Sequence, residues 1–133
     1  MDKALYEAML ARLKDGHLPC AQAHELAHDF GLDPLQVGRA ADEADIRISL
    51  CQLGLFGYGP KSLGKHKIVH PMDGVPQGLA ARLRAAAGEE GITCATIWQI
   101  ADELGYLRLE ASSAVEAMGL RVSRCQLGCF PRP

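Results

Sequence analysis

The residues whose types and spacing come nearest to chemistry are His24-Glu25-Leu26-Ala27-His28. On a helix these two imidazoles stand one turn apart and would bind zinc, while the carboxylate would act as general base on a zinc-bound water. Gly31 extends the pattern. Four features weigh against a zinc hydrolase, which stands as the third reading. A third ligand at the next spacing falls on Pro34, which has no donor to offer. At about 100° per residue, both histidines point away from the apolar Ala23/Leu26/Phe30 stripe, toward solvent. The helix reads as half of a two-helix unit rather than the wall of a cleft. A second copy of the segment carries Trp98 and Asp102 where His24 and His28 stand.

Two other clusters have chemical spacing. Gly59-Pro60-Lys61-Ser62-Leu63-Gly64-Lys65-His66 has the spacing of a phosphate-binding loop, but His66 occupies the position where a hydroxyl must meet magnesium, and no strand and helix flank it. Cys51-Gln52-Leu53-Gly54 recurs as Cys125-Gln126-Leu127-Gly128, followed by Phe56 and Phe130. The main reading is local packing, with the glycines turning the chain over Leu53, Phe56, Leu127 and Phe130 and the cysteines as small buried residues. The other reading is functional: Cys51 and Cys125 meet across a pseudo-twofold axis and, with Cys129, bind a soft metal or sense oxidation. Cys20 and Cys94 open matching helices and read as buried filler. Trp98 reads as core or as the junction between copies.

The repetition is wider than these four residues. Shifted by 74, residues 20–56 fall on 94–130, with identities that include Cys20/Cys94, Ala27/Ala101, Gly31/Gly105, Ala40/Ala114 and Arg47/Arg121. Two copies this similar imply one supersecondary unit used twice. In the first, Asp2 caps a helix over about 3–14 with Leu5, Met9 and Leu13 on its buried stripe. A second helix follows Pro19 and stops at Gly31, which supplies the left-handed conformation. Asp33, Pro34 and Gln36 open a third as cap, first-turn proline and reciprocal amide, and Val37, Ala40, Ala41 and Ala44 form its stripe. The period then switches to two: Ile46 and Ile48 face one way and Arg47 and Ser49 the other, as in a short strand. In the second copy Leu79 and Leu83 mark the first helix, Thr93 caps the second, Gly105 ends it, and Leu120 and Val122 lie in a strand.

Helix, glycine turn, helix, with Ala27 four residues before Gly31 and Val37 six after it, resembles the helix-turn-helix motif, and copy two matches with Ala101, Gly105 and Ala111. Two helices crossing steeply at a short turn need a small residue at the contact and a glycine at the bend. The preceding helix and following strand resemble the winged branch, with 54–65 as wing loop and Lys67-Ile68-Val69-His70 as the returning strand. Copy two ends at Pro133 with its wing truncated. The resemblance implies a mainly α fold with short β-strands: two winged helix-turn-helix-like repeats packed as an internal pseudo-dimer, residues 1–70 and 79–133 joined by a linker over 71–78.

It also implies a partner. The N-terminal half of each second helix would face DNA, with Gln36, Arg39 and Arg108 reaching base edges and Ser112 and Ser113 contacting phosphates. Lys61, Lys65, His66, Lys67 and His70 would add phosphate contacts from the wing. Asp33, Asp42, Glu110 and Glu116 would oppose a polyanion. The leading expectation is a non-catalytic DNA-binding regulator without a cofactor. The alternative is a winged-helix module for a protein partner, a second copy of itself, or cysteine-based metal or redox sensing.

Composition bounds these readings. The chain has 133 residues, 48% of them hydrophobic, enough for one domain of ordinary size or two small ones sharing a core. No apolar run is long enough for a membrane span, and the start carries charges where a signal peptide needs apolar residues. Five cysteines in no disulfide-scaffold spacing suggest the reducing cytoplasm. The net charge of −2 is uneven, at −4 over residues 1–59, +2 over 60–75 and 0 over 76–133. That is modest for a nucleic-acid binder.

Overall fold

A computed structural model describes residues 2–131. They form six α-helices and one two-stranded parallel sheet, in the order α1 (Lys3–Ala11), β1 (Leu18–Pro19), α2 (Cys20–Phe30), α3 (Pro34–Glu43), β2 (Ile48–Ser49), α4 (Gln77–Ala86), α5 (Cys94–Leu104) and α6 (Arg108–Ala117). Adding 74 to the bounds of α2 and α3 gives those of α5 and α6.

Local chemistry explains these bounds. The Asp2 carboxylate accepts from the Ala4 amide and starts α1. At the end of α2, Gly31 takes φ 63° and lets Leu32 N–H reach back to the Ala27 carbonyl at 2.8 Å. At the end of α5, Gly105 takes φ 78° and Tyr106 N–H reaches Ala101 at 2.9 Å. Both are six-to-one closures that satisfy a terminal carbonyl. Thr93 Oγ1 caps α5 through Thr96 N–H, and Gln36 Oε1 accepts from the Asp33 amide at 2.8 Å.

The strand expected over residues 46–49 forms only at Ile48–Ser49, paired parallel with Leu18–Pro19. In the second half the matching contact is a single parallel bridge, Ile92 to Val122. Ser49 is buried instead of facing out with Arg47, and Leu50 after it enters the left-handed region (φ 50°). No returning strand forms over Lys67–His70. That segment folds back on the Gly54 carbonyl, which accepts from both Ile68 N–H (2.9 Å) and Val69 N–H (3.1 Å), and the loop before it makes a 3-10 turn at Lys61–Leu63. The expected wing is therefore a coil anchored by buried Val69. Helix α4 begins at Gln77, inside the expected 71–78 linker, and α1 stops at Ala11, short of the expected residue 14.

The apolar residues form two clusters, and each is closed by a segment from the other half of the chain. Leu5, Met9, Leu18, Leu26, Val37 and Ala41 gather with Cys125 and Leu127. Leu79, Leu83, Ile97, Ile100, Ala114 and Val115 gather with Cys51 and Leu53. The Cys-Gln-Leu-Gly segments are thus exchanged: each leaves its own helices and fills the opposite core. Two helix positions make room for them. Gly38 lies against the Leu127 backbone so closely that a Cβ would overlap the carbonyl, and Ser112, 74 residues on, donates its buried hydroxyl to the Leu53 carbonyl at 2.6 Å. Trp98 packs against both clusters.

Candidate nucleic-acid interface

The residues expected to read DNA from α3 and α6 are mostly engaged in the fold. Ser112 is fully buried and spends its hydroxyl on Leu53, so it cannot touch a phosphate. Gln36 closes the start of α3. Arg108 lies 3.7 Å from the Trp98 ring centroid and donates to Gln52 (3.1 Å) and Asp102 (3.2 Å), a cation–π contact inside a hydrogen-bonded frame. Ser113 is half-buried, and its carbonyl accepts from Met72 N–H. Arg39 stands exposed on α3, as do Gln36 and the acidic Asp42 and Glu43. Among the loop cations, Lys61 and Lys65 are exposed, while Lys67 pairs with Glu116 at 2.6 Å.

Among the described residues, His24 and His28 belong to no group of three or more side chains that could hold a metal ion. His28 is exposed as expected, but His24 is not: its ring lies 4.3 Å from Trp98. A helix face that the apolar stripe leaves outside one half becomes inside when the other half covers it. Burial, with the Arg108 charge nearby, lowers the His24 pKa from 6.5 to about 4. Glu25 is held by Arg12, which also pairs with Asp29. Among the described residues no group of three or more His, Cys, Asp or Glu side chains is placed to hold a metal ion, and this includes Cys51, Cys125 and Cys129.

A pH dependence follows from His24. Its folded pKa is depressed, so the unfolded chain binds the extra proton below about 6.5. Stability is complete above that pH and declines as pH falls toward 4, by about 1–2 kcal/mol after allowance for partial solvent exposure. His24→Phe keeps a ring against Trp98 and removes the titration. Its denaturant midpoint is expected to change less than the wild type's between about pH 7 and pH 4.5. Equal pH slopes in the two proteins would remove this account of His24.

None of the five cysteines is in a disulfide. Burial pushes Cys20 up to about 12 and Cys94 up to about 11, and it raises Cys51. These three and Cys125 are near enough that charge on one disfavours charge on another.

A cavity of about 1100 Å³ is a groove that neither α3 nor the start of α6 lines. Its lining carries Lys14, Arg47, Lys61 and Arg121 together with His17 and His66, against Asp15 and Glu116. Arg47 and Arg121 are related by the 74-residue shift, and the same local bond fixes each: the Arg47 carbonyl accepts from Leu18 N–H and the Arg121 carbonyl from Ile92 N–H, both at 2.8 Å. His66 Nδ1 is buried there without a hydrogen-bond partner, and Phe56, Tyr58 and Phe130 give the groove an aromatic floor. Sequence reasoning placed Lys61 and His66 in a basic loop but missed Lys14, His17, Arg47 and Arg121. Only the pairing of β1 with β2 and of Ile92 with Val122 gathers those four. No protein-family model matches this chain, and no curated protein or solved structure does so either.

Proposed function

We propose that the protein is a non-catalytic DNA-binding regulator of the cytoplasm, built from two helix-turn-helix-like units packed as an internal pseudo-dimer. It would hold the nucleic-acid backbone mainly at the basic groove. The observation that carries this is the convergence of six basic side chains from both halves on one groove in a chain of net charge −2. Cations gathered against the net charge of a chain suit a polyanion. The aromatic floor offers flat surfaces beside the charges. Five cysteines, none in a disulfide, suit a reducing compartment, and among the described residues no helix is long and apolar enough to cross a membrane.

Fluorescence anisotropy with labelled duplexes over a salt series tests this reading. The affinity is expected to fall steeply with salt. The combined Lys14→Gln, Arg47→Gln, Lys61→Gln, Arg121→Gln variant is expected to bind at least about tenfold more weakly and to lose about 3 from the slope of log K against log salt. Absence of binding at low salt, or an unchanged slope, would overturn it.

A second reading, docking of a protein partner, is favoured by exposed Leu104 and Leu107 at the α5–α6 turn; Leu107 is 70% exposed where α3 has its polar cap Asp33. A protein-bound complex that Leu107→Ser dissolves, with no DNA binding, would favour that reading.

A further inference from the structure

The two Cys-Gln-Leu-Gly segments make a comparison within one chain. Each thiol sits in a turn whose backbone amides point at its sulfur: those of Leu53, Leu55 and Phe56 at Cys51, and those of Leu127, Gly128 and Cys129 at Cys125. Leu127 N–H lies 3.4 Å from Cys125 Sγ. Such nests of amides favour an anion. The turns differ at one position, Leu55 in the first and Cys129 in the second. The first turn shows that the packing does not need a cysteine there. With Cys129 present, its thiol donates to Cys125, whose pKa falls to about 6, while that of Cys51 is raised by burial.

The surroundings differ as well. Cys125, 8% exposed, is among the residues lining a cavity of about 610 Å³ beside α3, together with Arg39, Arg124, Asp42 and Thr93, while Cys129 lines a smaller neighbouring one that also includes Asp42. The larger volume is in the range of small-molecule sites. Two guanidiniums against one carboxylate suit a ligand with carboxylates of its own.

We propose that this cavity is a thiol–disulfide exchange site for small disulfides bearing carboxylates, with Cys125 as attacking thiolate, Cys129 as resolving thiol, and Arg39 and Arg124 holding the ligand's charges. The Cys125 thiolate attacks one ligand sulfur, the ligand S–S bond breaks, and one half departs as a thiolate while a mixed disulfide forms. Cys129 gives its proton to a departing thiolate or to water and attacks Cys125 Sγ. The mixed disulfide breaks, the second half leaves as a thiol, and a Cys125–Cys129 disulfide remains. Two protein thiols are oxidised and one ligand disulfide is reduced to two thiols. The site uses none of the cations of the basic groove and stands whether or not DNA binds there.

Oxidised glutathione is the charged probe and bis(2-hydroxyethyl) disulfide the neutral one, each followed by intact mass and peptide mapping on the full chain. With oxidised glutathione the wild type is expected to lose two hydrogens and retain no adduct, with the bond mapped to Cys125–Cys129. Cys129→Ser and Cys129→Leu are expected to trap one glutathione on Cys125. The leucine copies the first turn, so it keeps folding in hand. The wild-type rate should reach half its plateau near pH 6, and this midpoint should rise in Cys129→Leu. Arg39→Gln with Arg124→Gln should slow the reaction with oxidised glutathione about 3- to 10-fold and leave that with the neutral disulfide unchanged. Reaction at Cys20, Cys51 or Cys94 as fast as at Cys125, failure of both Cys129 variants to trap an adduct, or equal slowing with both probes would overturn the proposal.

Discussion

Gly38→Ala is expected to destabilise the protein by about 3 kcal/mol or more, although alanine is the better helix former. Gly38 lies within α3, and helix propensity alone would predict a gain of about 0.5–1 kcal/mol. Packing reverses the sign. An added Cβ would run into the carbonyl of Leu127, which is backbone and has no rotamer to yield, and Leu127 is itself buried in the core that α3 closes. The control is Gly78→Ala in α4, where nothing lies within 4 Å of the added carbon, and there the ordinary gain is expected. Denaturant unfolding of the two variants should move the midpoint in opposite directions. The same sign for both would mean that the Leu127 turn does not sit against α3. Gly38→Ser should fail as Gly38→Ala does, although serine occupies the corresponding position 112. At Ser112 the Leu53 turn stands far enough off for a hydroxyl to bridge the gap.

The second large effect is carried across the chain. Leu53→Ala removes a side chain that is 1% exposed and lies in the cluster of α4, α5 and α6, although Leu53 follows α3 in sequence. Emptying that position is expected to destabilise by about 2–5 kcal/mol. Native-state hydrogen exchange should show the loss first in the amides of α5 and α6. Leu127→Ala should do the converse and loosen α2 and α3, since Leu127 packs with Leu26 and Val37. If each change loosened only the helices that precede it in the chain, the exchange of segments between cores would be refuted. The paired design matters because a single variant that weakens the whole protein through a shared transition does not separate the two cores.

Much of the local architecture was legible beforehand, because helix ends are decided by short-range chemistry. Asp2, Thr93, Gly31 and Gly105 act within one turn of themselves, and each stands where its cap or left-handed conformation was expected. The apolar stripes of α2, α3, α5 and α6 were readable for the same reason: a period near 3.6 marks the face a helix must bury. The misreadings share one cause. His24 and Ser112 were placed in solvent because their own helices gave them no burial, and what covers them, Trp98 and the Leu53 turn, comes from the other half of the chain; Arg108 is engaged from both halves, by Trp98 and Asp102 of its own and Gln52 of the other. The wing failed similarly, since alternation cannot show that the Gly54 carbonyl and buried Val69 will hold the segment as coil.

By itself the amino-acid order determined where helices start and stop, which stripes are apolar, and that a Cys-Gln-Leu-Gly turn occurs twice, all consequences of contacts a few residues apart. The tertiary structure alone decided which core each turn enters, which basic side chains share a groove, and that Cys125 lines a cavity with Arg39 and Arg124 while the Cys51 carbonyl accepts from the Tyr58 hydroxyl at 2.5 Å. The exchange of turns depends on packing between residues far apart in the chain, 59 positions for Leu53 and Ser112 and 89 for Gly38 and Leu127, and a local pattern carries no information about a partner at that distance.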